Sequence, residues 1–160
     1  MTKSSKPPSF INATDAPVRS GSRYPAPHHE PCMARTKYIL GDVFGLSQFG
    51  VNLVTLPPGC WSSQRHWHEQ QDEFIYVVSG ELVLADDDGE HVLIAGMCAG
   101  FKANNGNGHH LKNLSDQPAQ YLEMGSRTPG EVAWYSDIDM MVKDSPDGTA
   151  RYTRKDGSAV

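Results

Sequence analysis

Two histidines separated by one residue, His66 and His68, stand just before an apolar run in the stretch "QRHWHEQQDEFIYVVSGEL". Successive side chains of a β-strand alternate between its faces, so both imidazoles would point the same way and could share a metal ion. Glu73 opens the next run, which can fold back and bring its carboxylate beside the histidines. Two imidazole nitrogens and one carboxylate oxygen suit a borderline divalent metal. The spacing therefore predicts part of a metal site on a β-sheet.

The candidate for a fourth ligand comes from "NNGNGHHLKN", where a loop rich in Gly and Asn leads His109 and His110 into another strand. Alternation allows only one of the two to face the other histidines. If Leu111 faces the core, His109 shares its face and His110 points away, so we predict His109. A lone His-x-His pair is more often a surface or hydrogen-bonded pair than a metal site. The second histidine-bearing segment is what favours the metal interpretation.

These residues fall into two longer patterns. The first contains a glycine, six residues, His-x-His, four residues, a glutamate, six residues and a second glycine, at Gly59, His66, His68, Glu73 and Gly80. The second begins near Gly96 and ends in "HHLKN", with His109 and Asn113 at its histidine and asparagine positions.

Together the two patterns resemble the motifs of the cupin superfamily. The first motif has one residue more than usual before its first histidine. In the second, Lys102 replaces the usual proline, Asn104 replaces the usual glycine, and the loop before His109 is about two residues longer. The flanks also resemble a group of single-domain bacterial cupins that are described only as uncharacterised conserved proteins. The departures concern the rim of the pocket more than the ligands.

The resemblance, which covers about residues 37–127, implies an all-β double-stranded β-helix, a small barrel of two antiparallel sheets. It implies one divalent metal ion, Fe, Mn, Ni or Zn, inside the barrel and held by His66, His68, Glu73 and His109. Such a set leaves about two of six octahedral positions for water or substrate, as a catalytic metal requires.

The elements that would position these side chains are short β-prone runs separated by Gly, Pro, Asn and Asp, at the spacing of an all-β sandwich or barrel. We therefore divide the chain into an irregular N-terminal arm (1–35), a β-barrel (36–145) and a polar C-terminal tail (146–160). The loop "ADDDGEH" predicts a hairpin turn.

The composition limits which partners and which cellular compartment we expect for this protein. The 160 residues carry a net charge of −5 and no long block of Lys or Arg, which argues against nucleic acid. The apolar runs are too short to span a membrane, and no signal peptide is evident. Three scattered cysteines without a Cys-x-x-Cys pair fit a reducing compartment. We expect a cytoplasmic protein that binds a small molecule and forms a homodimer, with the arms exchanged to cover sheet edges.

Two further side chains are candidates for catalysis. Gln64 stands two residues before His66 and should share its face, where its amide could orient a ligand or substrate; an amide bonded at the barrel mouth is an equal alternative. Tyr76 could place a hydroxyl in the pocket, although strand aromatics are more often core residues.

The predicted function is that of a metal-dependent enzyme acting on a small oxygen-rich metabolite, such as a keto acid, diol or sugar derivative. Open metal positions would support isomerase, lyase or, with iron, dioxygenase chemistry. The alternative is a non-catalytic barrel that binds a sugar or small acid and holds a structural metal.

Overall fold

The computed structural model describes residues 6–144 and 149–160. Thirteen strands are present in these ranges: β1 (Val18–Ser20), β2 (Thr36–Ile39), β3 (Phe49–Leu56), β4 (His66–His68), β5 (Glu73–Ser79), β6 (Glu81–Asp86), β7 (Gly89–Ile94), β8 (Cys98–Phe101), β9 (His110–Lys112), β10 (Ala119–Ser126), β11 (Val132–Tyr135), β12 (Met141–Asp144) and β13 (Ala150–Thr153). The helical elements are two 3₁₀ turns, Ala13–Asp15 and Glu30–Cys32, and the single-turn helix α1 (Leu40–Val43). No helix in the described ranges is long and apolar enough to cross a membrane.

The strands form three antiparallel sheets that build the barrel. The largest has the order β1-β2-β3-β10-β5-β8, the second β13-β12-β11-β4, and the third β7-β6-β9. Strands that are distant in sequence pair in the large sheet, where β10 lies between β3 and β5. This arrangement confirms the predicted double-stranded β-helix.

The core lies between the facing sheets and follows the period-two pattern of the strands. On β5 the residues Ile75 and Val77 are buried, whereas Phe74, Tyr76 and Val78 are exposed. The buried side chains come from the large sheet, from the β7-β6-β9 sheet and from the loop after β3. They form one cluster: Val54, Leu56, Cys60, Ile75, Val77, Leu82, Leu84, Leu93, Leu111, Ala119 and Tyr121. Glu73 shares the inward face with Ile75 and Val77, so the strand that fills the core also delivers a carboxylate to its mouth.

Gly80 joins β5 to β6 at a point where no other residue fits. Its φ is +76°, in the left-handed region that glycine adopts readily, and a Cβ there would lie 2.8 Å from the Cα of Ala119. The close approach of the two backbones keeps β5 and β10 in position. The last glycine of the first motif is thus required by packing.

The arm and the tail contain more structure than the sequence indicated. Within the arm, β1 pairs with β2, and the backbone N–H of Gly21 donates to the carbonyl of Arg35. In the tail, β13 pairs with β12. Tyr24 from the arm makes edge contacts with Tyr135 and Tyr152, so arm and tail meet on the barrel. The predicted barrel-to-tail boundary at 145/146 lies outside the described residues.

Candidate metal centre

Four side chains from three parts of the chain converge at the mouth of the barrel. His66 and His68 lie on β4, Glu73 begins β5, and His109 directly precedes β9. Reciprocal backbone hydrogen bonds join His66 and His109, with N···O distances of 3.2 and 2.8 Å. The alternation argument therefore places these residues as expected, and His109 turns toward the cluster.

The Oε2 atom of Glu73 is the point on which the three imidazoles converge. It lies 2.9 Å from Nε2 of His109, 3.4 Å from Nε2 of His68 and 3.8 Å from Nε2 of His66. Adjacent ligands of a divalent ion bound at about 2.1 Å are about 3 Å apart. Both the donor types and the separations fit such an ion, and His66, His68 and Glu73 could hold one.

Hydrogen bonds on the far side of two imidazoles fix which nitrogen faces the cluster. Nδ1 of His66 donates to the carbonyl of Gln64 at 2.9 Å, and Nδ1 of His68 donates to Oε1 of Glu131 at 3.3 Å. With the proton on Nδ1, Nε2 presents its lone pair to the centre of the cluster. This is the usual arrangement around a metal-binding histidine.

Glu131 was not identified from the sequence. It is only 5% exposed, lies just before β11, and also accepts the backbone N–H groups of Glu69 at 2.9 Å and Gln70 at 3.1 Å. Neither family motif includes it, and its neighbourhood in the sequence gives no signal of a contact with a histidine 63 residues away.

His109 is held by an aromatic face. The ring of Phe101 stacks on its imidazole with centroids 3.5 Å apart and planes 1° from parallel. Its Nδ1 is buried and has no hydrogen-bond partner among the described residues. The neighbouring His110 is also buried, and its Nδ1 donates to the carbonyl of Ser63 at 3.0 Å.

The charges of Glu73 and His66 are those that metal binding needs. Burial raises the pKa of Glu73, but the hydrogen bond from His109 and the charges of the three histidines together lower it well below its ordinary value. Burial lowers the pKa of His66 to about 3. For His68 burial also lowers the pKa, but the hydrogen bond to Glu131 and the charge of Glu73 outweigh it, and the net shift is upward. At neutral pH Glu73 is anionic and His66 neutral.

The cluster opens into a cavity of about 400 Å³, which we call the inner chamber. Besides the four clustered side chains, Glu123 of β10 lines it. Its Oε1 accepts hydrogen bonds from Nζ of Lys37 at 2.5 Å and from Nδ2 of Asn52 at 2.8 Å. Glu123 stands two residues after the buried Tyr121 on β10 and so shares its inward face, and that period-two spacing in "QYLEMG" is the signal that could have identified it.

The two predicted catalytic side chains lie elsewhere. Gln64 does not line the inner chamber; its amide donates to the carbonyl of His28 in the arm at 2.7 Å, and only its backbone carbonyl touches the cluster. Tyr76 is 41% exposed on the outer face of β5. It stands three residues from Glu73, and an odd separation on a strand puts two side chains on opposite faces. The expectation that these side chains reach the pocket is therefore corrected.

Two asparagines, one in the loop before β9 and one just after the strand, have structural roles. Asn104, at the position where the motif usually has glycine, adopts a left-handed φ of 57°, which Asn tolerates better than most residues. Its N–H donates to the carbonyl of His68 at 2.7 Å. Asn113 is buried and its amide donates to the carbonyls of Leu56 and Gln117, so it fixes strand ends.

The chain was compared with protein-family models, with solved structures and with curated proteins. The sequence model described as "Cupin domain" matches residues 52–125. A crystal structure described as a sugar phosphate isomerase from a cupin superfamily, from Silicibacter pomeroyi, is 50% identical, with a TM-score of 0.91 over 94% of this chain and 96% of that one. No curated protein matches the chain.

More distant structures share the fold alone. A protein from Acidithiobacillus ferrooxidans is 24% identical, with a TM-score of 0.71 over 79% of this chain and 80% of that one. The polyketide cyclase RemF from Streptomyces resistomycificus is 19% identical, with a TM-score of 0.59 over 73% of this chain and 78% of that one.

Proposed function

This chain belongs to the cupin superfamily, and we propose that it is a metal-dependent isomerase that moves a carbonyl group between adjacent carbons of a small sugar derivative. The observation that carries the proposal is that one chamber contains both a four-residue cluster suited to a divalent ion and a separate carboxylate, Glu123. An isomerase of this kind needs a Lewis acid at the oxygens and a base at the carbons. The described function of the 50% identical relative agrees with this choice.

The metal would be held by His66, His68, Glu73 and His109, and Fe, Mn, Ni and Zn all suit this donor set. When bound, such an ion supplies the Lewis acidity that polarises a carbonyl oxygen and an adjacent hydroxyl. Glu131 would keep His68 in the correct tautomer, and the Gln64 carbonyl would do the same for His66.

Glu123 is suited to act as the base because its two oxygens have different surroundings. Oε1 accepts hydrogen bonds from Lys37 and Asn52, whereas among the described residues Oε2 accepts only from the Tyr121 hydroxyl, at 3.4 Å. Oε2 would accept the proton from the carbon bearing the hydroxyl and return it to the neighbouring carbon. One hydroxyl proton moves to the former carbonyl oxygen, so no atom is gained or lost. Lys37 and Asn52 hold the carboxylate in place throughout.

The isomerase proposal is tested by solvent deuterium exchange. The metal-loaded protein, incubated in D₂O with a panel of aldoses, ketoses and their phosphates, should incorporate deuterium at the carbon next to the carbonyl, as followed by NMR. Glu123→Gln should reduce the rate about 100-fold or more while keeping the metal. Glu90→Gln removes a carboxylate exposed on β7 and should exchange at the wild-type rate.

Two results would contradict the proposal. One is exchange by Glu123→Gln at the wild-type rate. The other is tight binding of a sugar by the metal-loaded wild type with no exchange for any member of the panel, which would favour the non-catalytic binding function instead.

We also propose that the protein is a homodimer that pairs through the outer face of β5. Phe74, Tyr76 and Val78 are exposed in a row there. Val92 and Ile94 on β7 are exposed as well. The turn after β7 is tied to β5 by hydrogen bonds between Val77 and the segment 96–97, so the end of β7 lies beside β5. An apolar area of this kind commonly marks an interface. Within the single chain the arm contacts the barrel through the pairing of β1 with β2 and the bond from Gln64 to His28. Exchange of the arms between protomers stays a prediction.

A further inference from the structure

We propose that a second cavity beside the inner chamber binds the phosphate group of the substrate, with Arg19 and Arg23 as its principal ligands. This outer chamber has a volume of about 420 Å³ and shares Arg23, Tyr24, Arg35, Lys37 and Glu123 with the inner chamber. The inference rests on the proposed isomerase function and names its substrate class, a phosphorylated sugar.

The outer chamber is cationic in a chain that is acidic. Arg19, Arg23, Arg35 and Lys37 line it, and Glu123 is the sole carboxylate among its described lining residues. The whole chain carries a net charge of −5. A concave surface lined by charges of one sign concentrates the field and attracts the opposite charge, here an anion.

Strand register places two of these cations side by side. Arg19 on β1 is the direct partner of Lys37 on β2, and directly opposed like charges destabilise a sheet. Lys37 is compensated by Glu123 at 2.5 Å. Arg19 has no carboxylate partner among the described residues, and an anion in the chamber would relieve the repulsion that this pairing creates.

Arg23 and Arg35 have different tasks. Arg23 is exposed and makes no ion pair within the described part of the chain, so its guanidinium is free to bind a ligand bidentately. Arg35 donates to the carbonyls of Gly21 and Ser62, and so fastens the arm to the barrel. The Nε atom of Arg35 is buried and lacks a hydrogen-bond partner among the described residues, which leaves one donor unsatisfied beside the chamber.

The geometry gives the substrate an orientation. The carbonyl end would lie at the metal cluster and Glu123, and the phosphate would lie beyond Lys37 against β1. Arg23 and Tyr24 come from the arm, which therefore supplies part of the binding site in addition to covering the sheet. A phosphate bound by arginine pairs forms charge-assisted hydrogen bonds that a neutral sugar cannot replace.

The test measures the binding of inorganic phosphate to protein stripped of metal by a chelator, using calorimetry or ³¹P NMR line widths. Wild type should bind phosphate, and the double variant Arg19→Gln/Arg23→Gln should bind it at least about tenfold more weakly. The matched control Arg154→Gln removes an exposed arginine that lines neither chamber and should bind as wild type does. Thermal unfolding establishes that each variant is folded.

The result distinguishes this inference from the isomerase proposal because neither metal nor turnover is involved. Phosphate binding that survives metal removal and is lost in the double variant supports the outer chamber. Equal binding by wild type and the double variant, or binding that requires the metal, would overturn it, as would no binding by wild type at tens of millimolar phosphate. Deuterium exchange on unphosphorylated sugars would still test the isomerase proposal separately.

Discussion

The Nδ1 atom of His68 lies 3.3 Å from Oε1 of Glu131, which links a histidine of the cluster on β4 to a buried carboxylate just before β11. The same carboxylate accepts two backbone N–H groups from the turn that follows β4. Glu131 therefore fixes both the tautomer of His68 and the path of the chain toward Glu73. The cluster depends on a residue that no motif contains.

Replacing Glu131 with Gln should weaken metal binding about 10-fold to 100-fold, because the amide is a poorer acceptor for Nδ1–H of His68 and leaves the imidazole less basic. The measurement is competition with a chelator of known affinity. Glu69→Gln is the matched control, since within the described part of the chain the Glu69 carboxylate accepts only the indole N–H of Trp134 and makes no hydrogen bond to the His68 imidazole. Equal affinities for the two variants would show that the Glu131 contact does not tune the cluster.

His110 should make the metal-free protein sensitive to mild acid. Burial lowers its pKa from about 6.5 to about 4, so the unfolded chain takes up a proton at a higher pH than the folded chain does. The stability due to neutral His110 is complete above pH 6.5 and is lost as the pH falls to 4, by on the order of 3 kcal/mol at most.

The check is urea unfolding of chelator-treated protein between pH 4 and pH 8. The free energy of unfolding should fall less steeply for His110→Asn than for wild type, whereas His91→Asn, which replaces an exposed histidine, should follow wild type. The lowered pKa of His66 also reduces the free energy of unfolding as the pH falls, but this contribution is the same in all three proteins. A His110→Asn profile parallel to that of wild type would refute the prediction.

Two glycines with positive φ should respond differently to alanine. Gly80 (φ +76°) and Gly59 (φ +77°) have the same left-handed backbone, but a Cβ at Gly80 would meet Ala119 at 2.8 Å, while one at Gly59 meets no described atom within 4 Å. The left-handed conformation should lower the free energy of unfolding of each alanine variant by about 1 kcal/mol. Overpacking should lower that of Gly80→Ala by about 1–3 kcal/mol more. Denaturant unfolding of both proteins measures the difference. Similar losses would mean that the β5 and β10 backbones separate easily.

The proposed dimer should dissociate when a charge enters the apolar face of β5. Tyr76→Glu should shift the protein to the monomer mass in light scattering coupled to size exclusion, because the new carboxylate would be buried without a partner. Leu114→Glu introduces the same charge at an exposed leucine elsewhere and should leave the mass unchanged. A monomeric wild type, or a dimeric Tyr76→Glu, would remove the support for this interface.

The parts of this molecule that follow local rules were predictable, and the parts that depend on long-range contacts were not. The period-two pattern and the two motifs were enough to predict the barrel and to group His66, His68, Glu73 and His109. Glu131 joins residues that are far apart in sequence, and Arg19 acts through its register with Lys37, so neither was found. The predicted pocket position of Tyr76 is wrong because its odd spacing from Glu73 puts the two side chains on opposite faces of β5.

The sequence predicts an irregular arm because a strand of only three residues, Val18–Ser20, gives no pattern among the surrounding Pro and Ser residues. Its β1 forms by pairing with β2, not by local preference. The same dependence on a partner hid β13 in the polar tail. Short edge strands of this kind have too few residues to show a pattern.

The most direct test of the central claim is the metal content of the purified protein, measured by elemental analysis together with the melting temperature before and after chelation. The account predicts close to one divalent ion per chain, a lower melting temperature after chelation, and little bound metal in Glu73→Gln or His109→Ala, with Glu90→Gln retaining it. The account would be contradicted if the wild type binds no divalent ion after anaerobic reconstitution and its melting temperature does not change on treatment with the chelator.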